Sequence, residues 1–528
     1  MRRLHLGTAA LNTIPMGWSH NRRIIREAIS TARELGVQVL CLPELAITGY
    51  GCDDMFLAPT LAQTAARSLF EIAPETRGLA VSVGLPVHFR GAVFDCAAMV
   101  VDGRVLGLVT KRFLAGDGVH YEPRWFTPWR RHTRTTITLE GVELPIGDLF
   151  FEIDGIRVGH EICEDAWVAE RPGTELYALG VDVILNPSAS HFAFGKQDTR
   201  RRIVLEASRA FGVAYAYANL LGNESGRLIY DGGTLIASAG RLMAEGERFG
   251  FGDVSLSHAV VDIDIDRMHR ARYGSRAPSH DQDDMRVIVG FELPSASDST
   301  STKQLASWER SSFLKHEEFL RAVSLGLFDY VRKSRSRGFI LSLSGGADSA
   351  AVATLVRSMI DLSVHAIGLQ SVIERLGAWP ALKSCKDADT LCQAVLTCVY
   401  QSTRNSTDTT RSAARGLAES LHATFYDFDV DPLVESYRSL VEDSLSRELS
   451  WQSDDIALQN IQSRVRAPGV WMLANLSGSL LLSTSNRSEA AVGYATMDGD
   501  TSGGLAPIAG IDKAFLREWL GWMETEGG

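Results

Sequence analysis

The chain has 528 residues, 45% of them hydrophobic, enough for two or more domains, since single cores seldom grow past about 250 to 300 residues. A formal net charge of -11 argues against nucleic acid as the main partner. The seven scattered cysteines form no disulfide framework, no apolar run is long enough for a membrane span, and MRRLHLGTAAL turns polar too quickly for a secretory signal; a cytoplasmic protein is expected.

In chain order, LHLGTAAL reads as a strand, and 21–35 as a helix with Ile24, Ile25, Ala28, Ile29, Ala32 and Leu35 on one face. VQVLCLPE is then an apolar strand, and LAVSVGLPV, CAAMVV, VLGLVTK, GIRVGHEIC, VDVILNPS and VAYAYANL continue the series. Strands that return after helices imply layered α/β packing, here assigned to a first domain, 1–273. Three of these strands end on reactive groups: Glu44, Lys111 and Cys163. Together they form a coherent set, in which a thiol attacks a carbonyl carbon, a carboxylate takes its proton, and an ammonium lowers the thiol pKa and steadies the oxyanion. Taken singly, a buried Cys is usually a small hydrophobe and a Glu or Lys at a strand end is usually solvated. Cys41, Cys52 and Cys96 have no metal-ligand spacing and read as core.

The surrounding words LPELAITGY, KRFLAGDGVHYEPRWF, HEICEDAW and NPSASHF, in this order, resemble the nitrilase (carbon-nitrogen hydrolase) family. The resemblance implies an α-β-β-α sandwich with Glu44 as base, Lys111 as oxyanion support, Cys163 as nucleophile and Glu122 as a second, positioning glutamate. ICEDAW, NPSAS and YDGGTLIASAGRLMAEGERF most resemble the glutaminase half of glutamine-dependent NAD synthetases, which implies glutamine contacts from Glu164, Ser190 and Lys196. The family's tyrosine after KxxLP is absent here, where LAGDG puts Asp117, so the resemblance leaves the shape of the glutamine pocket open at this position. The acidic residues after Cys163 also suit an ordinary helix start.

Residues 274–308 are rich in Ser, Thr and Asp and read as a linker or covering strap. A second domain, 309–528, opens with a helix over 313–331 carrying Phe319, Leu320, Val323, Leu327 and Val331 on one side. FILSLSGGADS then passes from strand through two glycines into a helix expected to end at Ile360. Such a turn gathers backbone N–H groups and a positive dipole end around one small volume, which suits a phosphate. VHAIGLQ, VLTCVY and ATFYDFDV read as further strands, giving a doubly wound, mostly parallel sheet.

No lysine follows the glycines as GxxxxGK[ST] demands. SGGxDS instead resembles the signature of the ATP pyrophosphatases, which implies a Rossmann-like fold, Ser344, Gly345, Gly346 and Ser349 around the pyrophosphate, and Asp348 on Mg²⁺. The same resemblance lays Arg404 over the nucleotide; STRNSTDTT reads equally well as a solvated loop with an N-cap. DIALQNIQSRVR puts Asn460 and Arg464 on one helix face, ordinarily a solvated one. The stretch 480–520 is similar to the GTxNxSE...GYxTxxGD...PIxxxxK region of NAD synthetases, which implies an ATP contact from Thr484, Mg²⁺ or dinucleotide on Glu489, and dinucleotide contacts from Asn460, Arg464, Asp500 and Lys513.

The whole pattern implies ATP-dependent amidation of deamido-NAD with ammonia from glutamine, in a homo-oligomer joined through the synthetase domain, with a protected passage for ammonia. The family continues past WMETEGG with a PTAEL-type segment, so an amidohydrolase whose synthetase half is shortened or inactive is the alternative. A nucleotide-sensing or scaffolding protein is a third reading, disfavoured by the intact Glu44, Lys111 and Cys163.

Overall fold

The computed structural model describes residues 2–273, 283–296 and 305–527. Two compact units emerge, Met1–Ser311 and Ser312–Gly528. In the first, an eight-stranded sheet runs in the order Val254–Asp262, Arg3–Leu11, Val39–Cys41, Ala80–Phe89, Ala92–Val101, Arg104–Thr110, Val142–Gly147, Arg134–Leu139. A seven-stranded sheet faces it, centred on Ile156–His160, Val183–Ser188 and Ala214–Asn219.

Period-two alternation explains the layering. In VAYAYANL the small Ala214, Ala216 and Ala218 join the core shared with the other sheet, whereas Tyr215 and Tyr217 pack under the outer helical layer. Likewise Leu4 and Leu6 face the inter-sheet core while Ala9 and Leu11 lie with Ile24, Ile25, Ala28 and Ile29 of the helix Trp18–Glu34. Helix, sheet, sheet, helix is the α-β-β-α sandwich that the motifs implied. Within the stretch read as linker, Arg286–Val289 adds a parallel edge strand beside Phe150–Ile153. Trp308, also within it, is buried against Phe249. Short apolar runs inside a polar segment were enough to dock it.

The second unit is built on four parallel strands in the order Thr424–Asp429, Leu396–Ser402, Phe339–Ser342, Leu480–Leu482. VHAIGLQ is not a strand. The helix Ala347–Ile367 runs through most of it, to a left-handed Gly368 (φ +79°), and a short helix Leu369–Arg375 follows. Met359, Ile360 and Ser363 are buried, so the helical spacing persists past Ile360, and the stop signal is the glycine. This helix is also long and apolar enough to cross a membrane, but half of its apolar window is buried inside the protein.

Chain order reverses between Phe339–Ser342 and Leu480–Leu482. One later strand pair extends to one side, and Leu480–Leu482 returns on the other. Beyond the carboxyl ends of strands at such a switch point a crevice opens where ligands bind in doubly wound sheets. SGGADS and the loop after Leu482 both lie there.

Candidate active sites

In the first unit Lys111 follows its strand directly, Glu44 lies three residues beyond Val39–Cys41, and Glu122 opens a single helical turn, Glu122–Trp125. Lys111 Nζ donates to Glu44 Oε1 at 2.5 Å and to both oxygens of Glu122 at 2.8 and 2.7 Å, all three side chains being fully buried. Glu122 also accepts from the Tyr50 hydroxyl at 2.7 Å and from the Ala115 N–H at 2.8 Å. Burial opposes the Lys111 charge, but Glu122 and Glu44 outweigh it and hold the ammonium well above its usual range. Burial also resists the Glu44 charge, and Lys111 brings that carboxyl below its ordinary value.

Cys163 begins the turn Cys163–Ala166 at φ +44°, a left-handed backbone that a side-chain-bearing residue rarely adopts. Burial first, then the Glu44 charge, pushes its thiol well up, and Lys111 pulls the other way. The expected lowering by lysine is present but outweighed. That direction favours the thiol form, and Glu44 is the carboxylate beside it.

Ser190 is fixed by its N–H to Asn219 Oδ1 at 2.8 Å and by the buried Arg200, whose Nη2 donates to the Ser190 carbonyl at 2.7 Å. Lys196 stands over the Trp167 ring at 5.6 Å, and burial, then Arg200, lower its pKa to about 8. Glu164 is half-buried and raised, chiefly by burial. Asp165 accepts from the N–H groups of Ile162, Arg112 and Phe113, so the capped-turn reading of the acidic pair holds alongside any other role. Asp117 is exposed.

A polar chain that no sequence motif announces joins three loops. Tyr50 hydroxyl lies 3.0 Å from His120 Nδ1, His120 Nε2 lies 2.8 Å from His191 Nδ1, and Lys196 Nζ lies 3.3 Å from the same His191 nitrogen. It links the Glu122 end of the site to Lys196.

In the second unit Gly345 takes φ +80°, and a Cβ there would meet the Thr410 carbonyl oxygen at 2.5 Å, so only glycine fits this approach. Ser344 and Ser349 hydroxyls lie 3.1 Å apart across the loop, and Gly346 N–H donates to Ser344 Oγ at 3.3 Å. Asp348 and Glu489, 141 positions apart in the chain, meet around Lys513: its Nζ is 2.9 Å from Asp348 Oδ2 and 3.9 Å from Glu489 Oε1. Asn486 caps its helix through Oδ1 and donates Nδ2 to Asp348 Oδ1 at 3.1 Å. Thr484 is half-buried just past Leu480–Leu482.

Asn460, Arg464 and Asp500 surround one loop. Asn460 Oδ1 accepts from Thr496 Oγ1 at 3.2 Å, Arg464 Nε donates to the Met497 carbonyl at 3.1 Å, and Asp500 Oδ1 accepts from Ser463 Oγ at 2.9 Å. Arg404 is held by Asp431 at 2.8 Å and Glu435 at 3.0 Å, while Thr407 caps Asp408–Ser420. Its loop therefore contains the N-cap of the plainer reading.

A buried Cys-Glu-Lys set on an α-β-β-α sandwich defines a carbon-nitrogen hydrolase, and a double-glycine cradle at the switch point of a parallel sheet defines a nucleotide-binding partner for it. The carbon-nitrogen hydrolase family model matches residues 8–273, and the NAD synthase model residues 319–525. Over 99% of the chain and 75% of its relative, the sequence is 33% identical to the glutamine-dependent NAD(+) synthetase of Oryza sativa subsp. indica; over 98% and 78% it is 32% identical to that of Bos taurus. The crystal structure of a glutamine-dependent NAD(+) synthetase from Cytophaga hutchinsonii superposes with TM-score 0.85 at 43% identity, over 100% of this chain and 82% of that one. One from Acinetobacter baumannii in complex with ADP shares the fold, with TM-score 0.73 at 22% identity, over 99% and 82%. The chain belongs to the glutamine-dependent NAD(+) synthetases. Its activity is glutamine-hydrolysing, ATP-using synthesis of NAD(+).

Proposed function

We propose that Cys163 and its neighbours release ammonia from glutamine and that the residues around Ser344–Ser349 use ATP to activate the acceptor, deamido-NAD. The observation that carries the first half is the Lys111 ammonium gripped by Glu44 and Glu122 beside a thiol at a strained backbone position. Glu44 takes the thiol proton as sulfur attacks the amide carbon, Lys111 steadies the oxyanion, and Glu44 returns the proton as the C–N bond breaks and ammonia leaves. Water then hydrolyses the thioester to glutamate. Glu164, Ser190 and Lys196 hold the glutamine.

In the second half Ser344, Gly345, Gly346, Ser349, Arg404 and Thr484 hold ATP, and Asn460, Arg464, Glu489, Asp500 and Lys513 hold deamido-NAD. A carboxylate is a poor acyl donor; adenylation, with diphosphate leaving, lets ammonia displace AMP. Asp348 and Glu489 fit Mg²⁺, being hard oxygen donors that already share a cation in the Lys513 ammonium, whose half-exposed stem is free to swing aside. The ion would draw negative charge off the phosphates. The test is NAD(+) formation from deamido-NAD and Mg-ATP, run with glutamine and with ammonium. Both should support synthesis, and both should stop when magnesium is chelated. Glutamate release without NAD(+) from either nitrogen source would favour the hydrolase-only alternative.

The reading of a homo-oligomer through the second unit is supported by its exposed apolar residues. On Asp431–Leu445, Leu433, Tyr437 and Leu440 recur at helical spacing and are each more than half exposed, as are Met472 and Leu476 on Arg466–Ser477. Monomers rarely leave such faces bare, and a second copy of the same surface covers them. Leu440→Glu is expected to shift the sedimentation coefficient toward that of a single chain. Unchanged sedimentation of an oligomeric wild type would place the interface elsewhere.

A further inference from the structure

Asp95 lies in the strand Ala92–Val101, on the cross-strand position next to Lys111, whose backbone N–H donates to the Asp95 carbonyl at 2.9 Å. Its side chain is 1% exposed, an unusual place for a carboxyl group in an otherwise apolar strand. Lys111 Nζ stands 3.7 Å from Asp95 Oδ2, too far for a hydrogen bond, because its three protons are directed at Glu44 and Glu122.

Hydrogen-bond accounting separates the three carboxyl groups. Glu122 receives Lys111, the Tyr50 hydroxyl and the Ala115 N–H, so its oxygens are supplied as an anion requires. Among the described residues, no N–H or O–H donor meets either oxygen of Asp95 or Oε2 of Glu44. Yet an oxygen of Asp95 and an oxygen of Glu44 lie within 4.8 Å of each other, and each carboxyl group acts on the other's titration. Two acceptors facing one another at a buried position repel unless a proton lies between them.

We propose that Asp95 is a positioning residue for glutamine hydrolysis, a neutral carboxylic acid that donates a hydrogen bond to Glu44 and aims the base at the Cys163 thiol. The proposal rests on the assignment of Glu44 as base. Burial, then the Glu44 charge, hold Asp95 well above the usual carboxylate range, with Lys111 acting in the opposite sense and Glu122 adding to the rise. The charged or titratable groups around it are thus Glu44, Glu122, Lys111 and, across Glu44, Cys163. Asp95 keeps its proton through the cycle. The proton that moves passes from Cys163 to Glu44 and then to the departing ammonia, and an ionised Asp95 would raise the cost of each charge-separated step.

Asparagine can donate the same bond without titrating; alanine cannot donate. Asp95→Ala is expected to lower kcat for glutamine hydrolysis about tenfold or more, with little change in KM, because a buried acceptor on the base is left bare. Asp95→Asn should recover most of that loss and should carry the rate to higher pH than the wild type, whose alkaline decline contains the ionisation of Asp95. An infrared band of a protonated carboxyl should be present in the wild type and missing in Asp95→Asn. Ammonia-driven NAD(+) formation by the same preparations monitors their integrity. If Asp95→Asn is as impaired as Asp95→Ala, or the protonated band is missing from the wild type, Asp95 acts as an anion and the proposal is overturned. Glu44→Gln separates the underlying reading, since hydrolysis that survives it removes Glu44 as base whatever the Asp95 variants do.

Discussion

Replacing Cys163 by alanine is expected to abolish NAD(+) formation from glutamine, by about 10³-fold or more, while formation from ammonium continues near the wild-type rate. No other group in the buried set can form the acyl intermediate. Glu44, Glu122 and Lys111 bond one another without the sulfur, so the charge pairing that stabilises the pocket survives its removal. Alanine tolerates φ +44° no worse than cysteine, and the small void costs about 1 kcal/mol. Loss of glutamine use is therefore a chemical loss and not unfolding. The measurement is paired progress curves with glutamine and with ammonium on one enzyme preparation. Equal loss in both would mean that Cys163 serves the structure of the protein and not an acyl step.

Legibility in the sequence followed the range of the interactions. The helix Trp18–Glu34 and the strands around VDVILNPS and VAYAYANL were readable because their period fixes both element and face. VHAIGLQ was misread because β-branched and apolar residues suit either state, and only the spacing of Met359, Ile360 and Ser363 against the core favours the helix. Arg286–Val289 was missed because an edge strand docks with very few apolar side chains.

At the sites, Glu44, Lys111 and Cys163 announced themselves by standing at strand ends. Tyr50, His120 and His191 did not, since their contacts join loops far apart in sequence. Asp95 carried a local signal that went unread: a lone acid in VFDCAAMVV must be bonded, neutral or paired if the strand is buried, and each possibility points to the lysine beside it. The Asp348, Glu489 and Lys513 cluster was legible as three motif positions, but their meeting around one ammonium is a product of the strand order.

Asp348→Asn is expected to give the converse of the Cys163 result, with NAD(+) formation from glutamine and from ammonium falling together by about 10²-fold or more. The substitution is nearly isosteric, and the amide oxygen still accepts from Asn486, so the helix start that follows SGG is preserved. What disappears is one of the two negative charges that meet at Lys513. The remaining carboxylate, Glu489, would hold a divalent cation more weakly, and Lys513 loses its nearer partner, so phosphate oxygens would approach a site of altered charge. Glutamate release by the Cys163 site, measured separately, should persist in this variant. A magnesium titration tells the two consequences apart: partial recovery at high magnesium assigns the defect to cation binding, whereas a depressed rate independent of magnesium assigns it to the misplaced ammonium. Retention of full ammonium-driven synthesis would remove Asp348 from the nucleotide site altogether, because a carboxylate that held the cation on the phosphates could not be neutralised without a cost to the rate.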